Sequence, residues 1–161
     1  MSVGSASSLP QPGGALLAIL SGGLVSGVLD ITAAIVVYGF FGAKPVPLLQ
    51  GIAAGLLGAQ AFAGGLATAA LGLLCHFFIA FSAAAVYFMA SRWIKFAVEH
   101  AVVSGVVYGV LVFFFMNRVV VPLSAARKYP FSLKMMLIGV TIHVFCVGLP
   151  IAIAARKYSV Q

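Results

Sequence analysis

The length, composition and charge of this chain place it in a membrane. Of its 161 residues, 63% are hydrophobic and only 7% are charged, and the mean hydropathy is +1.20. A water-soluble domain of this size could not combine these values with a solvated surface, so we expect an integral membrane protein with room for one helical bundle.

The net charge of +7 does not indicate nucleic-acid binding. The basic residues stand singly or in pairs at the ends of apolar runs, where they suit anionic lipid headgroups, and they form no stripe along which counterions could be released. These residues are Arg92, Lys95, Arg127, Lys128, Lys134, Arg156 and Lys157. Because they divide almost equally between the two expected faces, the charge rule for membrane topology predicts no orientation.

In chain order, residues 1–14 read as a flexible tail and residues 15–157 as a single transmembrane helical domain. Runs of apolar residues, each bounded by proline, glycine or basic residues, predict the membrane-crossing helices. These runs cover about 15–41, 66–91, 97–122 and 133–155. The predicted fold class is therefore an all-α integral membrane protein, a four-transmembrane-helix bundle.

An additional helix is predicted over about 47–63, between the first two spans. The segment is too apolar for an ordinary loop, and its leucines lie on one side of a helix with glycine and alanine on the other. It is rich in weakly hydrophobic glycine and alanine, and only Ala63, Gly64 and Gly65 would connect it to the next span. These features favour a re-entrant or interfacial helix over a fifth span.

Asp30 is one of only two acidic residues in the chain and interrupts the first apolar run. An aspartate at the centre of a spanning helix costs about 2.5–3.5 kcal/mol on insertion scales, so it usually has a partner, a proton or a function. Other polar residues share a helix face with small residues, which is where membrane helices approach each other. On this basis the polar-core candidates are Asp30, His76, Asn117 and His143, and Arg118 is a further candidate that lies closer to the membrane interface. The packing candidates are Gly23, Gly27, Gly72, Gly105, Gly109 and Gly139.

His76 and His143 lie about ten residues into two spans that run parallel in a four-span chain, so their imidazoles are predicted at similar depths. One interpretation is proton- or ion-coupled transport of a small solute, centred on Asp30 with a histidine relaying the proton. Another is a structural or assembly protein whose buried polar groups fix helix packing. A third is a haem b site ligated by both histidines, with Gly72 and Gly139 making room for the porphyrin.

Soluble-enzyme motifs are missing from the sequence: it has no HExxH, no CxxC and no phosphate-binding glycine loop between strand and helix. We therefore predict no catalytic residue and no metal ligand apart from the haem alternative, and the chain is more consistent with a transport or structural protein than with an enzyme. The expected partners are membrane lipids, a small solute or ion, and possible further copies of the chain in a homo-oligomer.

Several stretches resemble small bacterial inner-membrane proteins of the YagU-like family. They are SGVLDITAAIVVYG at 26–39, LLQGIAAGLLGAQAF at 48–62, GGLATAALGLLCHFFIAFSAAAVYFMASR at 64–92 and YGVLVFFFMNRVVVPLSA at 108–125. The resemblance covers most of residues 20–125 and implies a multi-pass protein of the bacterial cytoplasmic membrane, without implying a reaction or substrate. It includes Asp30, Gln50, His76 and Asn117 but not His143, and it adds Gln50 to the polar-core candidates.

Overall fold

A computed structural model describes residues 12–128 and 130–159, and every regular element within them is helical. Residues 1–11 of the predicted tail lie outside the described part, and the first helix begins at Pro12. The helices are α1 (Pro12–Gly39), α2 (Pro45–Leu57, extended by a 3₁₀ segment Gly58–Ala63), α3 (Gly65–Ser91), α4 (Lys95–Glu99), α5 (Ala101–Leu123) and α6 (Leu133–Ser159).

Five of these helices, α1, α2, α3, α5 and α6, are long and apolar enough to cross a membrane, judged by length and composition. The chain thus has the make-up of a multi-pass α-helical membrane protein. The span predicted for 97–122 begins later than expected, because the short helix α4 ends at Glu99 and α5 starts at Ala101. His100 between them has φ −114° and ψ 52°, which interrupts the helix.

Small residues fill the interior of the bundle and large apolar residues cover its outside. Ala84 is 2% exposed and Ala152 is fully buried, whereas Leu16 is 59% and Phe78 is 73% exposed. Exposure of so many large apolar side chains to water is unfavourable, whereas their contact with lipid hydrocarbon is favourable. The distribution therefore matches helices that pack through alanine and glycine and turn their leucine and phenylalanine side chains to lipid.

Four long helices form a closed bundle. Helix α1 packs against α3 and α6, and α6 also packs against α5. The circuit between α5 and α3 is completed by side chains: the Tyr108 hydroxyl donates to the Ala83 carbonyl at 2.7 Å, and the Tyr108 ring meets Tyr87 edge-on at 4.9 Å. Helix α2 lies outside this circuit and packs mainly on α3.

The glycines predicted to pack do lie at helix contacts. Cβ atoms added at Gly23 and Gly27 would collide with phenylalanine rings of α3, and at Gly105 and Gly109 with backbone atoms of α6. A Cβ at Gly72 would collide with the Leu49 carbonyl oxygen of α2. At each of these positions, a missing side chain allows two helices to approach closely.

Helices α5 and α6 each contain a π-helical segment, Met116–Val120 and His143–Gly148. A proline follows each segment by two residues, Pro122 in α5 and Pro150 in α6. Proline has no N–H to bond the carbonyl four residues earlier, and its ring clashes with that carbonyl, which here lies inside the π segment. Widening the turn accommodates the proline without ending the helix.

Helix α2 is attached to the same end of the bundle at which α3 begins. The buried side-chain amide of Gln50 donates to the Gly65 carbonyl at 2.9 Å and to the Thr68 hydroxyl at 3.3 Å. The Ala125 amide, just after α5, donates to the Gly55 carbonyl at 3.0 Å. These hydrogen bonds attach α2 to the first turn of α3 and to the end of α5.

Candidate functional site

The carboxylate of Asp30 lies between two imidazoles from two other helices. Its Oδ2 is 4.0 Å from Nδ1 of His76 on α3, and its Oδ1 is 4.0 Å from Nδ1 of His143 on α6. The three side chains are only 12–22% exposed. We refer to Asp30, His76 and His143 as the Asp-His triad.

The triad lies at one depth in the bundle. At 1.5 Å per residue, Asp30 is about 14 Å from the end of α1, and His76 and His143 are about 15–17 Å from the starts of α3 and α6. These three helix termini lie at the same end of the bundle, because α1 is followed by an antiparallel α3 and α6 runs parallel to α3. These distances are similar to half the thickness of the hydrocarbon core of a bilayer, which is about 15 Å.

The hydrogen bonds of His76 determine which of its nitrogens carries a proton. Its Nε2 lies 2.8 Å from the Gly27 carbonyl oxygen of α1. Because a carbonyl oxygen can only accept, Nε2 is the donor, and Nδ1 of a neutral ring is then an acceptor facing the carboxylate. An ionised Asp30 also only accepts, so the two would repel each other. A direct hydrogen bond between the two groups would need one additional proton, on the His76 ring or on the Asp30 carboxyl.

Nδ1 of His143, unlike Nδ1 of His76, is already used in a hydrogen bond within its own helix. Its Nδ1 lies 2.9 Å from the Gly139 carbonyl oxygen of its own helix, so Nδ1 carries a proton. That N–H is donated to the Gly139 carbonyl, while Nδ1 itself stands 4.0 Å from Oδ1 of Asp30. At 4.0 Å neither imidazole is hydrogen-bonded to the carboxylate. The two sides of the triad are chemically unequal.

Glycines and phenylalanines position the two histidines. A Cβ at Gly27 would stand 2.7 Å from atoms of the Phe77 ring, so the glycine lets α3 approach α1 and places His76 beside Asp30. On the other side, the Phe113 ring of α5 lies against Gly139 and meets the His143 ring edge-on at 5.4 Å. His143 is also the first residue of the π segment in α6. Each imidazole is thus held by packing as well as by hydrogen bonds.

Two further titratable groups lie on the helices of the triad. They are the Tyr38 hydroxyl of α1 and the Cys146 thiol of α6. Cys146, like His143, belongs to the π segment of α6. Tyr38 follows Asp30 on the same helix, whereas Cys146 lies on another helix, and periodicity alone does not reveal contacts between helices. The Pro150 position, which requires a local widening of α6, is the signal that could have drawn attention to this segment.

The structure keeps the other polar candidates away from the triad. Asn117 is exposed and its amide bonds the Phe113 carbonyl of its own helix at 2.9 Å, and Arg118 is exposed beside it. Asn117 was predicted from a regular helical period, which does not hold within the π segment that starts at Met116. Arg118 was predicted as a polar residue close to the membrane interface, where its side chain can extend outward. Gln50 is buried but bonds α3 near its start, at the end of the bundle.

The two histidines do not form a site that fits haem. That interpretation requires Gly72 and Gly139 to leave space for the porphyrin, but these positions face the Leu49 carbonyl and the Phe113 ring. The Asp30 carboxylate also lies between the two imidazoles. Across residues 12–128 and 130–159, no group of three or more His, Cys, Asp or Glu side chains is arranged to hold a metal ion.

Two grooves on the bundle surface are lined by other residues. The larger, about 510 Å³, lies between α1 and α6 and includes Val25 and Lys157. The smaller, about 350 Å³, is lined by apolar residues such as Val37 and Leu137 together with Thr141. Neither groove is lined by a member of the Asp-His triad.

Comparison of the chain with protein families, with curated proteins and with solved structures gives no match.

Proposed function

We propose that this chain moves protons across a membrane, coupled to a small solute or ion, with Asp30, His76 and His143 as the proton-carrying groups. The observation that carries the proposal is the position of one carboxylate at 4.0 Å from an imidazole on each of two neighbouring helices. Ionisable residues at this depth are costly and are commonly found on ion and proton pathways. Imidazole exchanges protons near neutral pH, which suits a relay.

The unequal hydrogen bonding of the two histidines supports a proton that can move. A proton placed between His76 and Asp30 can reside on either group, whereas the Nδ1–H of His143 is already donated to the Gly139 carbonyl. A hydrogen bond requires about 2.9 Å, so a shift of about 1 Å from the observed 4.0 Å would connect Asp30 directly with one imidazole.

For the topology, we propose four spans and a re-entrant α2. The α-helical part of α2, Pro45–Leu57, is about 20 Å long, shorter than the roughly 30 Å hydrocarbon core. Gly58, with φ +59°, then turns the chain sharply. In a full antiparallel hairpin Gln50 would lie opposite the middle of α3, but it bonds Gly65 and Thr68 at the start of α3. These contacts support a helix that enters and leaves at one face.

A bacterial cytoplasmic membrane location and membership of the YagU-like family are further parts of the proposal, and they rest on the resemblance of residues 20–125 alone. The apolar exterior of the bundle supports a membrane location in general. Expression of the full chain in a bacterial host, followed by separation of inner and outer membranes, tests the location directly. Recovery in the outer membrane or in the soluble fraction would contradict it.

Proton coupling can be tested in liposomes loaded with the pH-sensitive dye pyranine. Gradients of sodium, potassium and a panel of small organic cations, anions and neutral solutes are imposed at a fixed membrane potential. We expect one of these gradients to change the internal pH when the wild-type chain is present, and Asp30→Asn to return the rate to that of protein-free liposomes. Glu99→Gln, which removes the exposed second acid of the chain, is the matched control and should keep the wild-type rate.

Equal rates for wild type and a folded Asp30→Asn variant would refute the proposal, as would a wild-type rate equal to that of empty liposomes for the whole panel. His76→Gln adds a second criterion. Glutamine can still donate a hydrogen bond to the Gly27 carbonyl but cannot carry the additional proton, so we expect the flux to fall while folding is preserved.

A structural or assembly protein is the second candidate, and the His76–Gly27 hydrogen bond favours it. This bond joins α3 to α1 directly and would fix their register without any transport. On that alternative, Asp30→Asn would leave every flux unchanged, while Asp30→Leu and His76→Leu would lower the stability of the bundle. The two candidates therefore predict different results for the same Asp30→Asn variant.

A further inference from the structure

A groove on the lipid-facing side of the bundle combines an apolar floor with a basic residue at one end. It lies between α1 and α6, has a volume of about 510 Å³, and is separate from the Asp-His triad. Its walls include Val25 of α1 and the α6 residues Phe145, Leu149 and Ile153, with Lys157 at the helix end. The π segment and Pro150 lie in the stretch of α6 that forms this wall.

The length of the groove matches one leaflet of a bilayer. From Phe145 to Lys157 the α6 wall extends about 18 Å at 1.5 Å per residue. Half of the hydrocarbon core is about 15 Å thick. The apolar part of the groove thus has the reach of an acyl chain, and Lys157 lies near the end of α6, at the depth of a lipid headgroup.

The headgroup end of the groove has a positive charge available. The Lys157 ammonium lies 5.5 Å from the centroid of the Tyr158 ring, a cation-π distance. Among the described residues, the ion pairs found join Asp30 to histidines, so the Lys157 charge is not neutralised by a carboxylate there. Tyrosine and lysine are typical of the interface, where a phosphate can accept from the ammonium group.

Charge favours a lipid over a second copy of the chain as the occupant. The chain has nine Lys and Arg but only two acidic residues, and one of these, Asp30, lies inside the bundle. A second copy would offer Lys157 a single exposed carboxylate, that of Glu99, together with an excess of positive charge. Anionic phospholipid supplies an acyl chain for the apolar walls and a negative headgroup for Lys157.

We propose that the groove between α1 and α6 binds one anionic phospholipid, with an acyl chain along Val25, Phe145, Leu149 and Ile153 and the phosphate against Lys157. This lipid is held at a defined site, in contrast to lipids that surround the bundle without preference. The site does not depend on proton transport, because it shares no residue with the triad.

Native mass spectrometry of the full chain in detergent tests the site. The delipidated protein is titrated with dioleoyl phosphatidylglycerol or with dioleoyl phosphatidylcholine, which differ in headgroup charge but not in acyl chains. A basic residue near an anionic lipid contributes about 1 kcal/mol, so we expect the first bound phosphatidylglycerol to bind about fivefold more tightly than phosphatidylcholine. Lys157→Gln should remove this preference and Lys157→Arg should keep it.

Matched variants separate the groove from general effects. Lys95→Gln removes a charge at the same end of the bundle outside the groove and should keep the preference. Val25→Phe should fill the groove and weaken binding of both lipids, whereas Val28→Phe should not, although the two valines are 48% and 46% exposed. Circular dichroism establishes that each variant is folded.

Equal affinity of the wild-type chain for both lipids would overturn the proposal. An identical loss of preference in Lys157→Gln and Lys95→Gln would also overturn it, because only the total charge would then matter. A wild-type mass of two chains, with Val25→Phe dissociating the pair, would show instead that a second copy occupies the groove.

Discussion

Gly109→Ala is a direct test of the close packing that holds α5 against α6 beside His143. A Cβ added at position 109 would stand 2.6 Å from the His143 carbonyl oxygen and from the Val144 Cα. Favourable contacts between such atoms lie at about 3.5–4.0 Å, so the two helices must separate by about 1 Å. Both neighbours are backbone atoms, and a change of rotamer cannot relieve the collision.

The size of the effect follows from the cost of overpacking. Inserting a methyl group into a closely packed contact typically costs about 1–3 kcal/mol, and we expect the free energy of unfolding of Gly109→Ala to fall by this amount. The higher helix propensity of alanine offsets at most about 1 kcal/mol of this loss. Since the displaced backbone belongs to His143, the change should also move this imidazole relative to Asp30.

Reversible unfolding in mixed micelles, with increasing dodecyl sulfate and detection by far-ultraviolet circular dichroism, measures the difference. The control is Gly51→Ala, also within a helix, where an added Cβ would have no neighbouring atom within 4 Å. We expect the control to be at least as stable as wild type. If Gly109→Ala and Gly51→Ala unfold at the same detergent fraction, α5 and α6 are farther apart at Gly109 than in the structure, and the predicted loss of stability is wrong.

Two further changes test the contacts that organise the bundle. Tyr108→Phe removes the 2.7 Å hydrogen bond to the Ala83 carbonyl and should cost about 0.5–1.5 kcal/mol in the same unfolding assay, whereas Ser82→Ala, whose exposed hydroxyl bonds only its own helix, should cost little. Gln50→Leu should loosen α2 from α3 and accelerate amide hydrogen exchange over 45–63. Unchanged exchange, or an equal acceleration in the exposed Gln60→Leu control, would contradict the anchoring role of Gln50.

The helical class and the approximate helix bounds were predictable because the hydropathy of each segment can be read directly from its sequence. The run predicted at 66–91 appears as Gly65–Ser91, and the run at 133–155 as Leu133–Ser159. The start of α5 was not predictable in this way. Its separation from α4 coincides with a tertiary contact, the hydrogen bond from the Tyr87 hydroxyl to the Ala97 carbonyl at 2.9 Å, which hydropathy cannot detect.

The candidate site was predictable where helices are regular. Asp30 and His76 lie in uninterrupted α-helix, and their shared faces with glycine indicated the contact that the structure contains. Asn117 was placed on the same basis, but it lies within the π segment Met116–Val120, where the assumed period of 3.6 residues does not hold. His143 stands at the first residue of such a segment and keeps the phase of the preceding helix.

The packing and the proposed proton chemistry of the triad depend on the same atoms, so the loss of function alone cannot separate them. The hydrogen bond to Gly27 orients the His76 ring, and that orientation is what directs an acceptor nitrogen at Asp30 and creates the need for an additional proton. A bulky residue at Gly27 would disturb register and proton balance together. Only a change that keeps shape while removing titration, such as Asp30→Asn, distinguishes a bundle that holds a proton from one that uses the same contacts only to pack.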